Sequence, residues 1–535
     1  MIKKMFAMVA LLAATQVVFA QLNLTYISDL PYNQDLNDIW GYVAPDGTEY
    51  AIVGAANGTS VVSLADPANP EEVGYVPGDN SIWRDIKVWD DFAYVVTDDE
   101  NSNDGLTVID LSDLPNSISS IQMTDFGNLG TLNRCHNIWI DEFGYAYLAG
   151  CNLNSGGMIY LDCDANPAMP EIIGFGPAVY SHDVYTRDNL MYSSEINDGV
   201  FTVYDVTDKA NTIALGNQET DFSFTHNGWL NDAGDVLFTT DELENAPIGS
   251  YDVSDPSDIK LLDLYKPLET LGDGVIPHNV HVWNDWIIIS YYTDGCIILD
   301  GSNPENLIEV GNFDTYFPSN VGFNGAWGAY PFFPSGLIAI SDIDNGLFIL
   351  EPDYVRACWL EGKVTDADNG ASLNAVDVSI NTTELNQEMS NASGDYATGL
   401  AIAGTYEVTY TKAGYIPKTL TDVVLENGEL TIRDVELTRL PTYEVTGLVI
   451  REENGSPIED ARVLLENDDF SFEVTTDANG IYLFPEVNDG DYKVVALKWG
   501  YRFEDTDITV AGDPYTVADL AKERGHTDEL LYDSH

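Results

Sequence analysis

The sequence predicts an all-β protein, a seven-bladed β-propeller followed by two β-sandwich domains. Three observations lead there. Strand-like segments recur at roughly 40–50 residues through the first part of the chain, a period typical of repeat architectures. A second period, of 85–86 residues, begins after Cys358. Tyr (30), Gly (44) and Pro (23) are plentiful, which suits many short strands joined by tight turns.

Composition narrows the function classes. The chain has 535 residues, with 88 Asp and Glu against 22 Lys and Arg, a formal net charge of −66. That balance argues against nucleic acid as a partner, since phosphate binding needs a basic face. It also argues against an anionic membrane surface. With 44% hydrophobic and 11% aromatic residues, the chain is not an acidic disordered polymer.

Residues 1–20 read as a signal peptide. Lys3 and Lys4 form its positive start, an apolar run follows to Phe19, and Val18-Phe19-Ala20 offers small residues at the cleavage positions. A membrane anchor is the weaker alternative, because Thr15 and Gln16 interrupt a short run. No Cys follows the cleavage point, which argues against a lipoprotein, and the mature chain is expected to have no transmembrane segment. The expected location is secreted or extracellular, with surface association. In that oxidising setting the five Cys suit one or two bridges.

Residues 21–355 carry the seven repeats. One element is an apolar run ending in Asp: Val61-Val62-Ser63-Leu64-Ala65-Asp66, Leu106-Thr107-Val108-Ile109-Asp110, Met158-Ile159-Tyr160-Leu161-Asp162, Phe201-Thr202-Val203-Tyr204-Asp205, Ser250-Tyr251-Asp252, Cys296-Ile297-Ile298-Leu299-Asp300 and Leu347-Phe348-Ile349-Leu350-Glu351. Hairpin pairs such as Asn57-Gly58, Asp104-Gly105 and Asn345-Gly346 precede most copies. An opening strand, a second strand and one after the Asp turn make four per repeat, the content of a propeller blade. The seventh repeat has no fourth strand of its own, and residues 22–30 have the pattern to supply it and close the ring. A flat β-solenoid is the alternative. The apolar-Asp element resembles the LVIVD repeat. With Trp83-Arg84-Asp85-Ile86, His226-Asn227-Gly228-Trp229 and Asn324-Gly325-Ala326-Trp327, the region is similar to the choice-of-anchor B family. That resemblance implies an exported, surface-associated bacterial protein and carries no defined activity.

The later period aligns Gly362 with Gly447, Asn369-Gly370 with Asn454-Gly455, Tyr396 with Tyr482, and Gly414-Tyr415 with Gly500-Tyr501. Alternating strands between these points predict two β-sandwiches, at 358–440 and 441–514. Both resemble the carboxypeptidase regulatory-like domain, of the immunoglobulin or prealbumin kind of sandwich, which implies rigid spacers or adhesive modules without a peptidase. Residues 515–535 read as an acidic tail, with a truncated or released chain as the expectation.

The strongest chemical signal is a column at the start of the opening strands: Trp40-Gly41, Arg84-Asp85, His136-Asn137, His182-Asp183, His226-Asn227, His278-Asn279 and Trp327-Gly328. Four of the chain's seven His fall in it, in successive blades, and should form an arc at one channel mouth. Imidazoles with Asp85 and Asp183 nearby suit zinc, copper or iron. The alternative is a hydrogen-bonding ring in which each His and its following Asn or Asp satisfies buried backbone groups. Trp40, Trp83, Arg84, Asp85, Asp183, Trp229 and Trp327 are the candidate ligand residues of that mouth, with a glycan or protein as partner. Cys135 and Cys151 flank the third blade's first hairpin and face each other, a candidate disulfide; Cys163, Cys296 and Cys358 stay unassigned. The run from Asp98 to Asp104 gathers oxygen ligands suited to Ca²⁺, with a solvated hairpin tip as the plainer reading. Asp241-Glu242-Leu243-Glu244 is similar and ends near the His face. No serine-hydrolase elbow, His-Glu-x-x-His, P-loop or dinucleotide fingerprint occurs. The favoured function is a secreted or cell-surface binding protein, with the propeller presenting the ligand and the sandwiches as stalk. A metal-dependent enzyme and a purely structural surface component are the rivals.

Overall fold

The computed structural model describes residues 22–267, 270–316, 322–383, 386–501 and 505–522. The expected signal peptide and residues 523–535 of the expected tail lie outside them. Among the described residues the chain is all-β, with 44 strands and two three-residue 3-10 turns. No helix there is long and apolar enough to cross a membrane.

The chain divides into two compact units, residues 1–359 with two short later segments (399–403 and 425–430), and the remainder of 360–535. In the first unit, strands form seven antiparallel four-stranded sheets. Six follow chain order, the first being Leu36–Val43, Glu49–Ala55, Gly58–Ser63 and Glu71–Pro77. In the seventh, Leu24–Leu30 adds to Gly346–Pro352, so the N-terminal strand completes the sheet built by the last repeat. The opening strands begin at Leu36, Arg84, Asn137, Val184, Thr225, Asn279 and Ala326, and each contacts the next, the last returning to the first.

Apolar residues on both faces of the sheets drive this stacking. Leu36, Ile39 and Val53 of the first sheet pack with Tyr330, Ala339 and Ile349 of the seventh. Tyr42, Tyr50 and Ile52, from the same strands, pack with Ile86, Ala93 and Val95 of the second. A strand buried on both faces reads as a continuous apolar run rather than an alternation, as in Trp286–Ser290. Truncating one such side chain, Ile52→Ala, should cost about 2–5 kcal/mol.

The recurrent Asp is a turn device. Asp110, Asp205 and Asp252 each accept the N–H two residues on through Oδ1, at 2.9–3.0 Å. Glycines in the fourth strands admit the next sheet's turn. A Cβ at Gly174 would lie 2.1 Å from Lys209 O, and one at Gly216 would lie 1.8 Å from Pro256 O.

In the second unit the two copies share one topology. Thr442–Arg451 pairs with Ile481–Asn488 on one side and with Tyr515–Thr516 and Leu520–Lys522 on the other, facing a second sheet around Arg462–Glu466 and Gly490–Leu497. The second sandwich therefore extends past 514, into residues the sequence reading gave to the tail. Two short parallel pairings account for this, and their strands are too brief for a periodic signal.

Candidate functional site

The opening strands set three layers around the axis of the cycle. The outermost holds Arg84 and the four imidazoles of His136, His182, His226 and His278. One residue on comes a layer of Asp and Asn, and two further on a layer of mostly aromatic residues.

The middle layer stitches the sheets. Asp38 Oδ2 accepts the Ile86 N–H at 3.1 Å, Asp85 Oδ2 the Ile138 N–H at 3.0 Å, Asn137 Oδ1 the Val184 N–H at 3.1 Å, and Asn227 Oδ1 the Val280 N–H at 3.1 Å. Each side chain satisfies a buried donor at the start of the neighbouring sheet's strand. Lys87 sits among these acids, with Nζ 2.5 Å from Asp85 Oδ1, 3.7 Å from Asp38 Oδ2, and 4.5 Å over the Trp40 ring. Burial pulls the Lys87 ammonium down, yet Asp85 and Asp38 outweigh it and leave it raised. Asp183, whose Oδ2 accepts from Asn227 Nδ2 at 2.9 Å, is pushed up to about 7, mainly by burial. Asp85 is thus occupied by Lys87 and backbone, and its place in the expected metal arc goes unused.

This layer also corrects the register of the first repeat. Asn37-Asp38, not Trp40-Gly41, stands beside Arg84-Asp85: a Cβ on Gly54 would meet both Asn37 Oδ1 and the Arg84 side chain. A bulge between Leu36 and Ile39 shifts the pairing there. Trp40 consequently lies in the inner aromatic layer, not on the rim, and Trp229, three residues after His226, lies there too. Trp40 and Trp229 both pack edge-on to Trp139, at 6.1 and 4.9 Å, and Trp229 stacks on Phe332 at 5.3 Å. His281 belongs to this layer too, with Trp229 5.0 Å away.

The imidazoles form a continuous arc. Ring centroids are 3.8 Å apart for His136 and His182, 4.6 Å for His182 and His226, and 4.6 Å for His226 and His278. Burial drives His226 and His278 down to about 3, and His182 well below the usual imidazole range. His136 differs: burial lowers it, but the Asp98 hydrogen bond and the Asp183 charge leave it raised. His136 Nδ1 faces Asp98 Oδ2 at 2.9 Å, and Asp98 also holds Arg134. His278 Nδ1 donates to the Trp327 carbonyl, against which Ser290 Oγ also bonds at 2.8 Å. Glu242 reaches between two rings, 3.6 Å from His226 Nε2 and 3.7 Å from His278 Nε2, and accepts from Tyr292 Oη at 2.6 Å. His182 Nε2 and His226 Nδ1 are buried without a hydrogen-bond partner. Two groups bring ligand atoms within 4.8 Å of one another: His136, His182, Asp183 and His226, and His226, Glu242 and His278.

Arg84 occupies the corresponding position with four of its five N–H groups bonded: Nε to Ala55 O at 2.8 Å, Nη1 to Thr97 Oγ1 at 2.8 Å and to Asp104 Oδ2 at 3.4 Å, and Nη2 to Asp79 O. It is buried and offers nothing to a ligand. Asp104, from the run considered for Ca²⁺, is taken up by Arg84, the Asp79 N–H and Gln122. Asp98 orients His136, and Asp99 caps Asn101. The carboxylates of Asp98, Asp99 and Asp104 are thereby engaged by other groups of the protein. Asp241 holds its own loop through Thr220 and Phe222.

The rim of the same face carries exposed aromatics. Trp83 is 38% and Phe323 60% exposed. The carbonyl of Trp83 accepts from Asp98 N, and Phe323 packs on Tyr292 at 5.4 Å, itself 4.8 Å from His278. Trp327 lies against His278 at 4.9 Å. Beside the arc, Cys135 and Cys151 form a disulfide, while Cys163, Cys296 and Cys358 are free and buried. Sequence reasoning passed over Lys87, Asp38, Trp139, His281 and Tyr292. The triplet spacing of His278 and His281, matching His136 and Trp139, was the signal that places His281.

Residues 360–438 and 444–521 each match the carboxypeptidase regulatory-like domain, so the second unit holds two of these domains. No curated protein matches the chain. Among solved structures, a streptococcal ancillary pilin aligns with 13% identity over 43% of this chain and 81% of its own, at a TM-score of 0.24.

Proposed function

We propose that the chain is a surface protein of the adhesion type, exported and extracellular. Its seven sheets form the blades of a β-propeller head of the LVIVD, choice-of-anchor B kind, and its two regulatory-like domains form the stalk. The observation that carries the binding role is the pair of exposed aromatics, Trp83 and Phe323, flanking a buried polar arc at one face of the cycle. Large amphipathic rings beside fixed polar groups are the usual anchors of glycan and protein ligands. Tandem sandwiches supply reach without chemistry of their own. Screening the mature chain against extracellular glycans and matrix proteins tests this. The expected result is a ligand whose retention falls at least tenfold in Trp83→Ala/Phe323→Ala. Binding that maps to residues 360–521 alone would defeat it.

The imidazole arc favours a second reading, a metal-dependent enzyme at the same face. Turnover abolished by His226→Gln would favour it over the first.

A further inference from the structure

We infer that the imidazole arc is a transition-metal centre, with His226, His278 and Glu242 as its first ligand set and His182 as the neighbouring donor.

The hydrogen bonds fix where the lone pairs point. A carbonyl only accepts, so His278 Nδ1 must carry the proton it gives to Trp327 O. Its Nε2 then presents a lone pair toward Glu242, at 3.7 Å. Likewise Asp98 accepts the N–H of His136 Nδ1, which leaves Nε2 as the ligating nitrogen of the neutral ring. A carboxylate or carbonyl on the outer nitrogen of a His is the arrangement that orients and strengthens metal-ligating imidazoles. Here it occurs at both ends of the arc.

Between the lone pairs and Glu242 the spacing is wrong for a hydrogen bond and right for an ion. Two oxygens of one carboxylate stand 3.6 and 3.7 Å from two imidazole nitrogens. With metal–ligand bonds of about 2.0–2.2 Å at near-tetrahedral angles, ligand atoms lie roughly 3.3–3.6 Å apart. His182 Nε2 is an independent sign, a nitrogen sealed from solvent and left without any partner. Such an orphan is destabilising, and a coordinate bond would remove that cost. Two imidazole nitrogens and a carboxylate, with a third imidazole adjoining, select Zn²⁺, Cu²⁺, Ni²⁺ or Fe²⁺ over Ca²⁺ or Mg²⁺, which prefer all-oxygen sites. His226 belongs to both ligand groups and joins this set to His136 and Asp183.

The test uses the mature full-length chain, stripped with chelator and titrated with Co²⁺ alone. The expected result is one tightly held Co²⁺ with the intense visible bands of low-coordinate nitrogen ligation. Glu242→Gln and His278→Gln should each weaken it about 100-fold or more. Tyr292→Phe, which removes the hydrogen bond that orients Glu242, should weaken it by about tenfold and shift the bands. Glu473→Gln, in the second sandwich, should leave both unchanged. Circular dichroism verifies the fold of each variant, and near-isosteric Glu242→Gln keeps the test valid should a His variant not fold. Only weak, pale, oxygen-ligated Co²⁺ spread over surface carboxylates would overturn the inference. So would tight binding that survives Glu242→Gln.

Discussion

Arg84 and His136 begin opening strands in neighbouring sheets, yet they solve the same burial problem in opposite ways. Arg84 brings five donors into a buried niche and finds acceptors for four of them in Ala55 O, Thr97, Asp104 and Asp79 O. The imidazoles bring one N–H each, spend it outward where a partner exists, and leave nitrogens inward with none. A side chain that saturates its surroundings holds the fold. A row of side chains that leaves buried nitrogens unmet is held by the fold for another purpose. The middle layer sharpens the contrast, because its Asp and Asn residues already stitch the sheets. The imidazoles are therefore not needed for that task.

The largest expected effect falls on the saturated side. Arg84→Met leaves Asp104 buried and stripped of its cation, and should cost about 3–5 kcal/mol in chemical denaturation of the mature chain. His182→Gln, in metal-free protein, should cost under about 1 kcal/mol by the same measurement, since it removes no hydrogen bond of the Nε2 atom. Equal losses at both positions would erase the distinction. Next comes the covalent tie beside His136. The disulfide spans 16 residues, and Cys135→Ser/Cys151→Ser should lower stability by about 3 kcal/mol. Glu242→Gln should change sign with loading. Without metal its amide can donate to an imidazole lone pair and raise stability by ~1 kcal/mol, while with metal it should lower the melting temperature relative to wild type.

The smallest effect is a pH slope. Asp294 is pushed up to about 7 and Asp342 to about 6, both mainly by burial. A carboxyl raised above its unfolded value, near 3.9, binds its proton more tightly when folded. Its stabilisation is present below pH 4 and is lost as pH rises through 6 to 7. His226, His278 and His182, held neutral far below their unfolded value, act in the opposite direction over this range. The Asp294 contribution is therefore read as a difference: the melting temperature of Asp294→Asn relative to wild type should rise by about 2–4 °C from pH 5 to 8.

Much of the fold was legible because turn chemistry repeats. Asp110, Asp205, Asp252 and Asp300, each closing a third strand, bond the N–H two residues on, so one local rule wrote the period into the sequence. The His arc was legible for the same reason, since one column in a repeat becomes one layer in space. Where backbone irregularity enters, the column slips. In the first repeat, where a bulge lies between Leu36 and Ile39, the column stands at Asn37-Asp38, three residues before Trp40-Gly41, which puts Trp40 in the inner layer rather than on the rim. Glu242 and Asp98 were visible only as members of acidic runs. Among 88 acids, only packing decides which carboxylate meets an imidazole. Lys87 was hidden because its partners come from three different sheets.

The central claim is that the four imidazoles serve an ion rather than the fold. Elemental analysis of the mature chain, purified without chelator, addresses it most directly. The account predicts a transition metal at one or more atoms per chain, falling to background in His226→Gln/His278→Gln while the fold persists. A chain with no stoichiometric transition metal, or a content indifferent to those substitutions, would contradict it.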